Sequence, residues 1–170
     1  SFQKGLDLLL DSLCHTKNNI HLDIAGPFQQ KEYKYCSLIK NKVKHLNKTG
    51  HKINFLGVID INAFCFESYK CAVLPSRYEG FAFLPLELSS LNLPHIISDC
   101  LGQKELLVTK LDKRYSFESE NKKSLAKILS RIIEKNNEEL SKDFEIINND
   151  RLSKYSELNF LNKYKTTFLA

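Results

Sequence analysis

Short apolar runs alternate with amphipathic stretches along most of this 170-residue chain. The apolar runs have the length of single strands, whereas the stretches between them repeat their apolar residues at helical spacing. Strands that alternate with helices run parallel, because each helix returns the chain to the same end of the sheet. The pattern predicts an α/β domain: a Rossmann-like, doubly wound parallel sheet with helices on both faces and a C-terminal helical tail.

The same periodicity predicts the individual elements. The predicted strands cover residues 20–25, 53–56, 72–74, 95–98 and 115–117, and the predicted helices cover residues 4–16, 30–48, 61–69, 84–91, part of 102–108, 121–140 and 142–170. Pro85 lies in the first turn of its helix, where proline is tolerated, and Asn92 fits the left-handed position after that helix. We divide the chain into a Rossmann-like domain, residues 1–141, and a C-terminal helical segment, residues 142–170.

Composition excludes several classes of protein. With 42% hydrophobic and 26% charged residues, the chain has ordinary globular usage and is not a disordered protein. The 5 cysteines are odd in number and form no CxxC pair, which indicates reduced thiols in a cytoplasmic protein. The histidines show no metal-binding spacing, so no metal site is predicted. No apolar run approaches the length of a membrane-spanning helix.

The net charge of +5 comes from 25 basic and 20 acidic residues. The lysines are dispersed, and their densest region, residues 31–52, interleaves them with Tyr and Leu as on one face of a helix. This arrangement favours a solvated basic helix face. Peripheral contact with anionic lipid is the alternative, and the dispersion argues against nucleic-acid binding.

The segment over residues 75–87 combines groups that can carry chemistry. It reads Pro-Ser-Arg-Tyr-Glu-Gly-Phe-Ala-Phe-Leu-Pro-Leu-Glu and joins the end of a predicted strand to the start of a predicted helix. Backbone N–H groups over residues 80–83 should then be free at the positive end of the helix. In parallel sheets ligands bind at this carboxyl edge, so we expect a phosphate site here.

Two carboxylates, Glu79 and Glu87, flank the expected phosphate site. Carboxylates repel phosphate but are strong acceptors for hydroxyl groups. Hydroxyls on both sides of a diphosphate describe a nucleotide sugar, with ribose on one side and hexose on the other. The alternative is structural: Glu87 complements the helix dipole and Glu79 is solvated.

Residues 75–87 closely resemble the donor-site signature of the family-4 (group 1) retaining glycosyltransferases, whose GT-B fold pairs two Rossmann-like domains. Four further segments resemble that family in the same order: Lys4-Gly5-Leu6-Asp7, Leu22-Asp23-Ile24-Ala25-Gly26, Ile53-Asn54-Phe55-Leu56-Gly57, and Leu93 to Asp99 with Gly102 and Glu105. One such motif would be a weak signal. Several in family order over residues 4–108 make the resemblance specific.

The resemblance implies a role for each matching residue. Glu79, the expected catalytic residue, accepts hydrogen bonds from the donor-sugar hydroxyls, and Glu87 holds the ribose hydroxyls. The backbone of residues 80–82 (Gly80, Phe81 and Ala82) faces the sugar and the diphosphate. Lys4 neutralises the phosphates; its alternative is an exposed lysine at a helix start.

Two further donor contacts are implied at Gly26 and Glu105. Gly26 allows close approach to the nucleotide, with an ordinary strand-ending glycine as the alternative, and Glu105 has helix capping as its alternative. Arg77 is expected to pack or pair locally and not to bind the ligand. The sequence departs from the family pattern at Ala82, at Asn92 and in Cys100-Leu101-Gly102, which keeps one glycine of the usual pair.

The resemblance also implies what the whole enzyme does. Members transfer a sugar from a nucleoside-diphosphate donor, UDP- or GDP-linked, to an acceptor hydroxyl with retained configuration and without a metal or other cofactor. The family's first strand before Lys4 and its acceptor-binding N-terminal domain are missing from this sequence, so we expect the chain alone to be inactive. Residues 142–170 would pack on the same domain or toward that missing one.

The resemblance also suggests an acceptor and a location in the cell, and it leaves two other functions open. The acceptor would be a glycan or lipid-linked glycan in envelope polysaccharide or lipopolysaccharide synthesis, at the cytoplasmic face of the plasma membrane. A related GT-B enzyme, such as an epimerase or a phosphorylase, is one alternative. A non-catalytic Rossmann-like binding module is the other.

Overall fold

The structure is a computed structural model that describes residues 1–27 and 32–156. Its helices are α1 (Leu6–Leu13), α2 (Tyr33–Lys48), α3 (Phe83–Ser90), α4 (Lys122–Glu134) and α5 (Asn137–Lys154). Its strands are β1 (His21–Ala25), β2 (Lys52–Gly57), β3 (Ala72–Leu74), β4 (His95–Ser98) and β5 (Ser116–Phe117). Short 3₁₀ turns lie at Phe2–Lys4, Lys104–Leu106 and Asp112–Tyr115.

Every strand pairing is parallel, which confirms the α/β class. β1 pairs with β2, and β4 lies between β3 and β5. The strands form two separate sheets because, among the described residues, no strand bridges the facing edges of β1 and β3 in space. β1 and β3 therefore each keep one edge without a strand partner in the described part of the chain.

Helices cover both faces of the strands. Neighbouring residues of a strand point to opposite faces, and Ile96 and Ile97 of β4 belong to two different apolar clusters although both are 0% exposed. The larger cluster joins α1, α2 and α4, and the smaller one contains Ala82 and Leu106. The expected doubly covered architecture is confirmed.

The helix expected over residues 61–69 is wrong, since this segment forms turns. The Asp60 carboxylate accepts a hydrogen bond from the Asn62 N–H at 3.0 Å, a local bond that competes with helix formation. The ring of Phe64 packs against the rings of Phe66 and Tyr69. Apolar spacing here reflects aromatic packing within a turn and not a helical face.

The helix expected over residues 121–140 is also wrong in extent, because α4 ends at Glu134 and α5 starts at Asn137. The Asn136 side chain caps α5 by accepting from the Glu138 N–H, and Lys70 Nζ donates to carbonyls at the end of α4. The division at residue 141 stays a prediction, and part of the expected C-terminal helix, residues 157–170, lies outside the described residues. The expected start of the second helix, at residue 30, also lies outside the described residues.

A buried polar cluster anchors α5. Arg151 is 0% exposed, and its Nε donates to Asp112 Oδ1 at 2.8 Å. Its Nη1 contacts His95 Nε2, while His95 Nδ1 lies 2.8 Å from the Leu93 carbonyl. Burial, helped by the Arg151 charge, lowers the pKa of His95 to about 3. His95 is therefore neutral, donating through Nδ1 to Leu93 and accepting through Nε2 from Arg151.

Asp112→Asn should destabilise the fold strongly. The substitution leaves the Arg151 charge buried without its counter-ion, which costs roughly 3–5 kcal/mol. Asp11→Asn is the control, because the Lys42–Asp11 pair is partly exposed and such pairs contribute under about 1 kcal/mol. Urea unfolding measures both free energies. Equal losses would contradict the anchoring role of the Arg151 cluster.

His95 should make the stability depend on pH. The pKa of His95 is lower in the folded protein than in the unfolded chain. As the pH falls, the unfolded chain therefore binds a proton at His95 that the folded protein does not bind. The free energy of unfolding should therefore fall, by up to about 1.4 kcal/mol per unit, as the pH drops from about 6.5 to about 3. Because burial also lowers the pKa of His51, the measure is the difference in slope between wild type and His95→Gln. Identical slopes would refute the prediction.

Candidate functional site

A cavity of about 1060 Å³ opens between β1 and β3. Apolar side chains of α1 and α2, including Leu6, Leu9 and Ile39, form part of its wall. The lining also includes most of the expected site residues: Lys4, Gly26, Glu79, Phe81, Ala82 and Glu87. Gly26 follows β1, and the residues from Glu79 to Glu87 follow β3, at the edge where parallel sheets bind ligands. Lys4 precedes α1 and reaches this edge by its contact with Glu79.

The Glu79 carboxylate is held by side chains from two segments. Its Oε1 accepts from Lys4 Nζ and from Ser76 Oγ, both at 2.7 Å, and Gln3 Nε2 lies 3.4 Å from its Oε2. The Glu79 side chain is 13% exposed, whereas Lys4 is 59% exposed. The pair therefore offers a fixed carboxylate and an accessible ammonium group at the same point of the cavity.

Two glycines allow the loop that carries Glu79 to pack closely against its neighbours. A Cβ atom on Gly5 would lie 1.9 Å from the Pro75 carbonyl oxygen, and one on Gly102 would lie 2.2 Å from the Glu79 carbonyl oxygen. The Glu79 N–H also donates to the Leu101 carbonyl at 3.0 Å. The loop is thus held between the residues before α1 and those after β4.

A buried network of side chains, which the sequence did not reveal, joins the ends of β3 and β4. Gln103 is 1% exposed, and its Oε1 accepts from the Ser98 N–H at 3.0 Å. Ser98 Oγ lies 2.6 Å from the Ser76 carbonyl oxygen. Ser76 could have been suspected because it stands three residues before Glu79, but nothing in the sequence pattern marks Gln103.

The start of α3 is arranged as expected for an anion site. Ala82 occupies the N-cap position and provides no side-chain cap. Among the residues that the structure describes, none accepts a hydrogen bond from the N–H groups of residues 80–83. The Phe81 ring packs against Phe83 and Tyr155, which fixes the path of the loop into α3. Unpaired N–H groups at a helix start attract phosphate.

Glu87 lies in α3 with an exposed side chain that lines the cavity. No described residue donates a hydrogen bond to its carboxylate, so both oxygens can accept from a ligand. Gly26 follows β1 with a φ of 127°, and its N–H donates to the Gly57 carbonyl at 2.7 Å. A Cβ on Gly26 would meet no atom within 4 Å, so the space beside it is open.

Two expected site residues do not line the cavity. Gly80 is exposed beside Glu79. Glu105 is exposed in its 3₁₀ turn, and its carbonyl accepts from Lys154 Nζ and the Tyr155 hydroxyl, both at 2.8 Å. The turn therefore holds the end of α5, because its backbone faces that helix.

Asp23 of β1 is a further charged residue in the lining. Its carboxylate accepts from the Tyr69 hydroxyl and from Asn54 Nδ2, the latter at 2.7 Å. These hydrogen bonds, led by that of Tyr69, lower the pKa of Asp23 and raise that of Tyr69. In the sequence, Asp23 could have been recognised as a site residue because it is a charged residue within an apolar strand.

No group of His, Cys, Asp and Glu side chains in residues 1–27 and 32–156 is arranged to hold a metal ion. Within the same ranges, no helix combines the length and the hydropathy needed to cross a bilayer.

The family model described as "Glycosyl transferases group 1" matches residues 1–151. The chain belongs to this family. Its resemblance to the group 1 glycosyltransferases is thereby confirmed. No curated protein sequence matches the chain significantly.

Solved structures share the fold of this group 1 family member. Anabaena Alr3699/HepE in complex with UDP and glucose is 17% identical, with a TM-score of 0.79 over 99% of this chain and 46% of that one. A glycosyltransferase from Rickettsia africae ESF-5 is 18% identical, with a TM-score of 0.78 over 96% of this chain and 44% of that one. The chain spans about half the length of these two.

The catalytic domain of cholesterol-alpha-glucosyltransferase from Helicobacter pylori is a third structure with this fold. It is 21% identical to the chain, with a TM-score of 0.70 over 90% of this chain and 92% of that domain. Identities this low establish a shared fold and do not establish shared substrates.

Gly102→Ala should disturb the Glu79 loop, whereas Gly80→Ala should not affect stability. Gly102 has a φ of 86° and its added Cβ would meet backbone, but a Cβ on Gly80 would meet nothing within 4 Å. We expect Gly102→Ala to lower the free energy of unfolding by at least about 2 kcal/mol and Gly80→Ala to change it by under about 0.5 kcal/mol. Chemical denaturation compares them, and similar losses would argue against close packing at Gly102.

Proposed function

We propose that this chain is the donor-binding domain of a retaining glycosyltransferase that moves a sugar from a nucleoside-diphosphate sugar to an acceptor hydroxyl. One observation carries the proposal. The uncapped start of α3 and the Lys4–Glu79 pair lie at the same edge of one cavity, in a member of the group 1 family.

The diphosphate would bind where positive charge is accessible. The N–H groups at the start of α3 form the positive end of the helix dipole. Lys4 Nζ carries three N–H groups, of which one is directed at Glu79, and its 59% exposure lets the others reach a phosphate oxygen. Negative charge grows on the diphosphate as its bond to the anomeric carbon breaks, so these groups would stabilise the transition state.

The two carboxylates would bind the sugars on either side. Glu79 is fixed through Oε1, which leaves Oε2, 3.4 Å from Gln3, as the stronger candidate for a donor-sugar hydroxyl. Glu87, exposed in α3, would accept from the ribose hydroxyls. The acceptor oxygen would bond to the anomeric carbon as the bond from that carbon to the diphosphate oxygen breaks, and the hydroxyl proton would pass to that departing oxygen. Retention of configuration follows the family resemblance of residues 75–87.

A UDP-linked sugar is the first donor to test. Alr3699/HepE, which shares the fold, has been solved in complexes with UDP and glucose and with UDP-glucose. A GDP-linked sugar is the alternative. No metal or other cofactor enters the proposed step, because the α3 N–H groups and Lys4 supply the positive charge.

The acceptor would be a glycan or lipid-linked glycan, bound by a domain outside this sequence. Envelope polysaccharide or lipopolysaccharide synthesis at the cytoplasmic face of the plasma membrane is the setting we propose. α2 supports peripheral contact with an anionic membrane, because it contains lysines but no Asp or Glu and exposes Tyr33 and Leu38.

Calorimetry on the full-length protein with UDP-glucose tests the donor site. Lys4→Ala and Glu87→Gln should each weaken binding by about tenfold or more, since each removes a direct ligand contact. Lys127→Ala and Glu134→Gln on α4, both exposed and absent from the cavity lining, are the matched controls and should bind normally. Failure to bind any UDP- or GDP-sugar would contradict the proposal.

Glu79→Gln separates catalysis from binding in the same assay series. If Glu79 contacts the donor sugar most strongly in the transition state, turnover should fall by about 100-fold while affinity for UDP-glucose changes much less. Equal losses in turnover and affinity would make Glu79 a ground-state binding residue only. An inverted anomeric configuration in the product, read by NMR, would refute retention.

A further inference from the structure

Arg77 has no part in the proposed chemistry, yet it is held by an extensive set of contacts. Its side chain is 10% exposed, and it is absent from the cavity lining. Nη1 and Nη2 donate to the two carboxylate oxygens of Asp7, both at 2.8 Å. Such a bidentate pair fixes both position and orientation.

The same residue holds the segment immediately before Lys4. Arg77 Nη1 donates to the Phe2 carbonyl at 2.7 Å, and its guanidinium lies 3.8 Å from the centre of the Phe2 ring. The Arg77 N–H donates to the Gln3 carbonyl at 2.8 Å. Backbone and side chain of Arg77 therefore both bind residues 2–3, one step from Lys4.

Asp7 is itself oriented by α2. The Tyr35 hydroxyl donates to Asp7 Oδ1 at 2.8 Å and accepts from the Asp7 N–H at 3.2 Å. Burial works to raise the pKa of Asp7, but the hydrogen bonds from Arg77 and Tyr35 outweigh it, and the pKa is lowered. Burial, together with the Asp7 carboxylate, raises the pKa of Tyr35 to about 12. Asp7 is therefore a stable anion for Arg77.

Arg77 has one further ionic contact, on the opposite side. Its Nε lies 2.6 Å from Glu120 Oε1. The Glu120 side chain is 58% exposed, whereas Arg77 Nε is buried and the contact lacks the geometry of a hydrogen bond. The contact does not involve the segment of Lys4. Removing the Glu120 carboxylate therefore tests whether the loss of any Arg77 contact disturbs the segment of Lys4.

We propose that Arg77, oriented by Asp7, is a positioning residue that holds Lys4 and Glu79 together so that both meet one nucleotide-sugar donor. Glu79 stands two residues after Arg77 in the loop, and Lys4 follows the two residues that Arg77 binds. The proposal rests on the donor-binding function proposed for Lys4 and Glu79. Arg77 acts through these two residues and does not touch the donor.

The geometry requires arginine rather than any cation. A lysine ammonium is a point charge and cannot bridge both Asp7 oxygens while also reaching the Phe2 carbonyl. Arg77→Lys keeps the charge but should lose the fixed arrangement. It is therefore the informative variant, and Asp7→Asn tests the same pair from the other side.

Hydrogen exchange of the ligand-free, full-length protein gives the first measurement. Arg77→Lys and Asp7→Asn should speed exchange of amides in residues 2–5 and 76–79 by about tenfold. Exchange in α5 should stay unchanged, which shows that the fold is intact. Glu120→Ala is the matched control and should leave residues 2–5 protected. Unchanged exchange in both Arg77→Lys and Asp7→Asn would overturn the proposal.

The second measurement is a double-mutant cycle read by UDP-glucose affinity. Arg77→Lys should weaken binding by about tenfold in the wild-type background but by less than about threefold when Lys4 is already Ala. The effect shrinks because Arg77 acts partly through the residue that has been removed. A merely structural role would weaken binding by the same factor in both backgrounds, and that result would overturn the proposal.

The two measurements separate this inference from the proposed function. If the wild-type protein binds no UDP- or GDP-sugar, the donor-site proposal fails, while the exchange data still decide whether Arg77 orders the Lys4 segment. If the wild type binds UDP-glucose and Arg77→Lys binds it equally well with unchanged exchange, the positioning role alone is refuted.

Discussion

The arrangement of the site depends on close backbone packing around the Pro75–Glu79 loop. Gly5 and Gly102 approach its carbonyl oxygens so closely that no side chain could occupy either position. This contact brings together segments that are far apart in sequence: the residues before α1, the loop after β3 and the loop after β4. Main-chain contacts therefore fix the backbone of Glu79, and Lys4 and Ser76 hold its carboxylate before any ligand arrives, which would reduce the ordering cost of binding.

The charged side chains of this loop are paired, whereas no described side chain caps the start of α3. Arg77 is paired with Asp7, and Glu79 is paired with Lys4. The N-cap of α3 is the neutral Ala82, so no described side chain offsets the positive end of the helix. The start of α3 and Lys4, the most exposed member of these pairs, line the same cavity. Under the proposed function, this difference would direct the diphosphate to the start of α3 and leave the carboxylates for hydroxyl groups.

Sequence periodicity located β3 and β4 correctly because each is an apolar run bounded by a turn or a proline. It failed over residues 61–69, where the spacing of aromatic residues is set by their packing on one another, and at the α4–α5 break, which Lys70 stabilises from a distant segment. The site shows the same limit. A motif reveals Glu79, but the Asp7–Arg77 pair joins residues 70 positions apart and leaves no local pattern.

The cavity itself divides into regions that suit different chemistry. Its wall between β1 and β3 is built from apolar side chains such as Leu9 and Ile39. A diphosphate placed against that wall would lose its hydration without gaining hydrogen bonds, at a large free-energy cost. The charged part of the proposed nucleotide sugar would therefore stay at the strand ends, where Lys4 and the α3 N–H groups would replace water. The polar edge, and not the apolar wall, would therefore be the place where the donor binds.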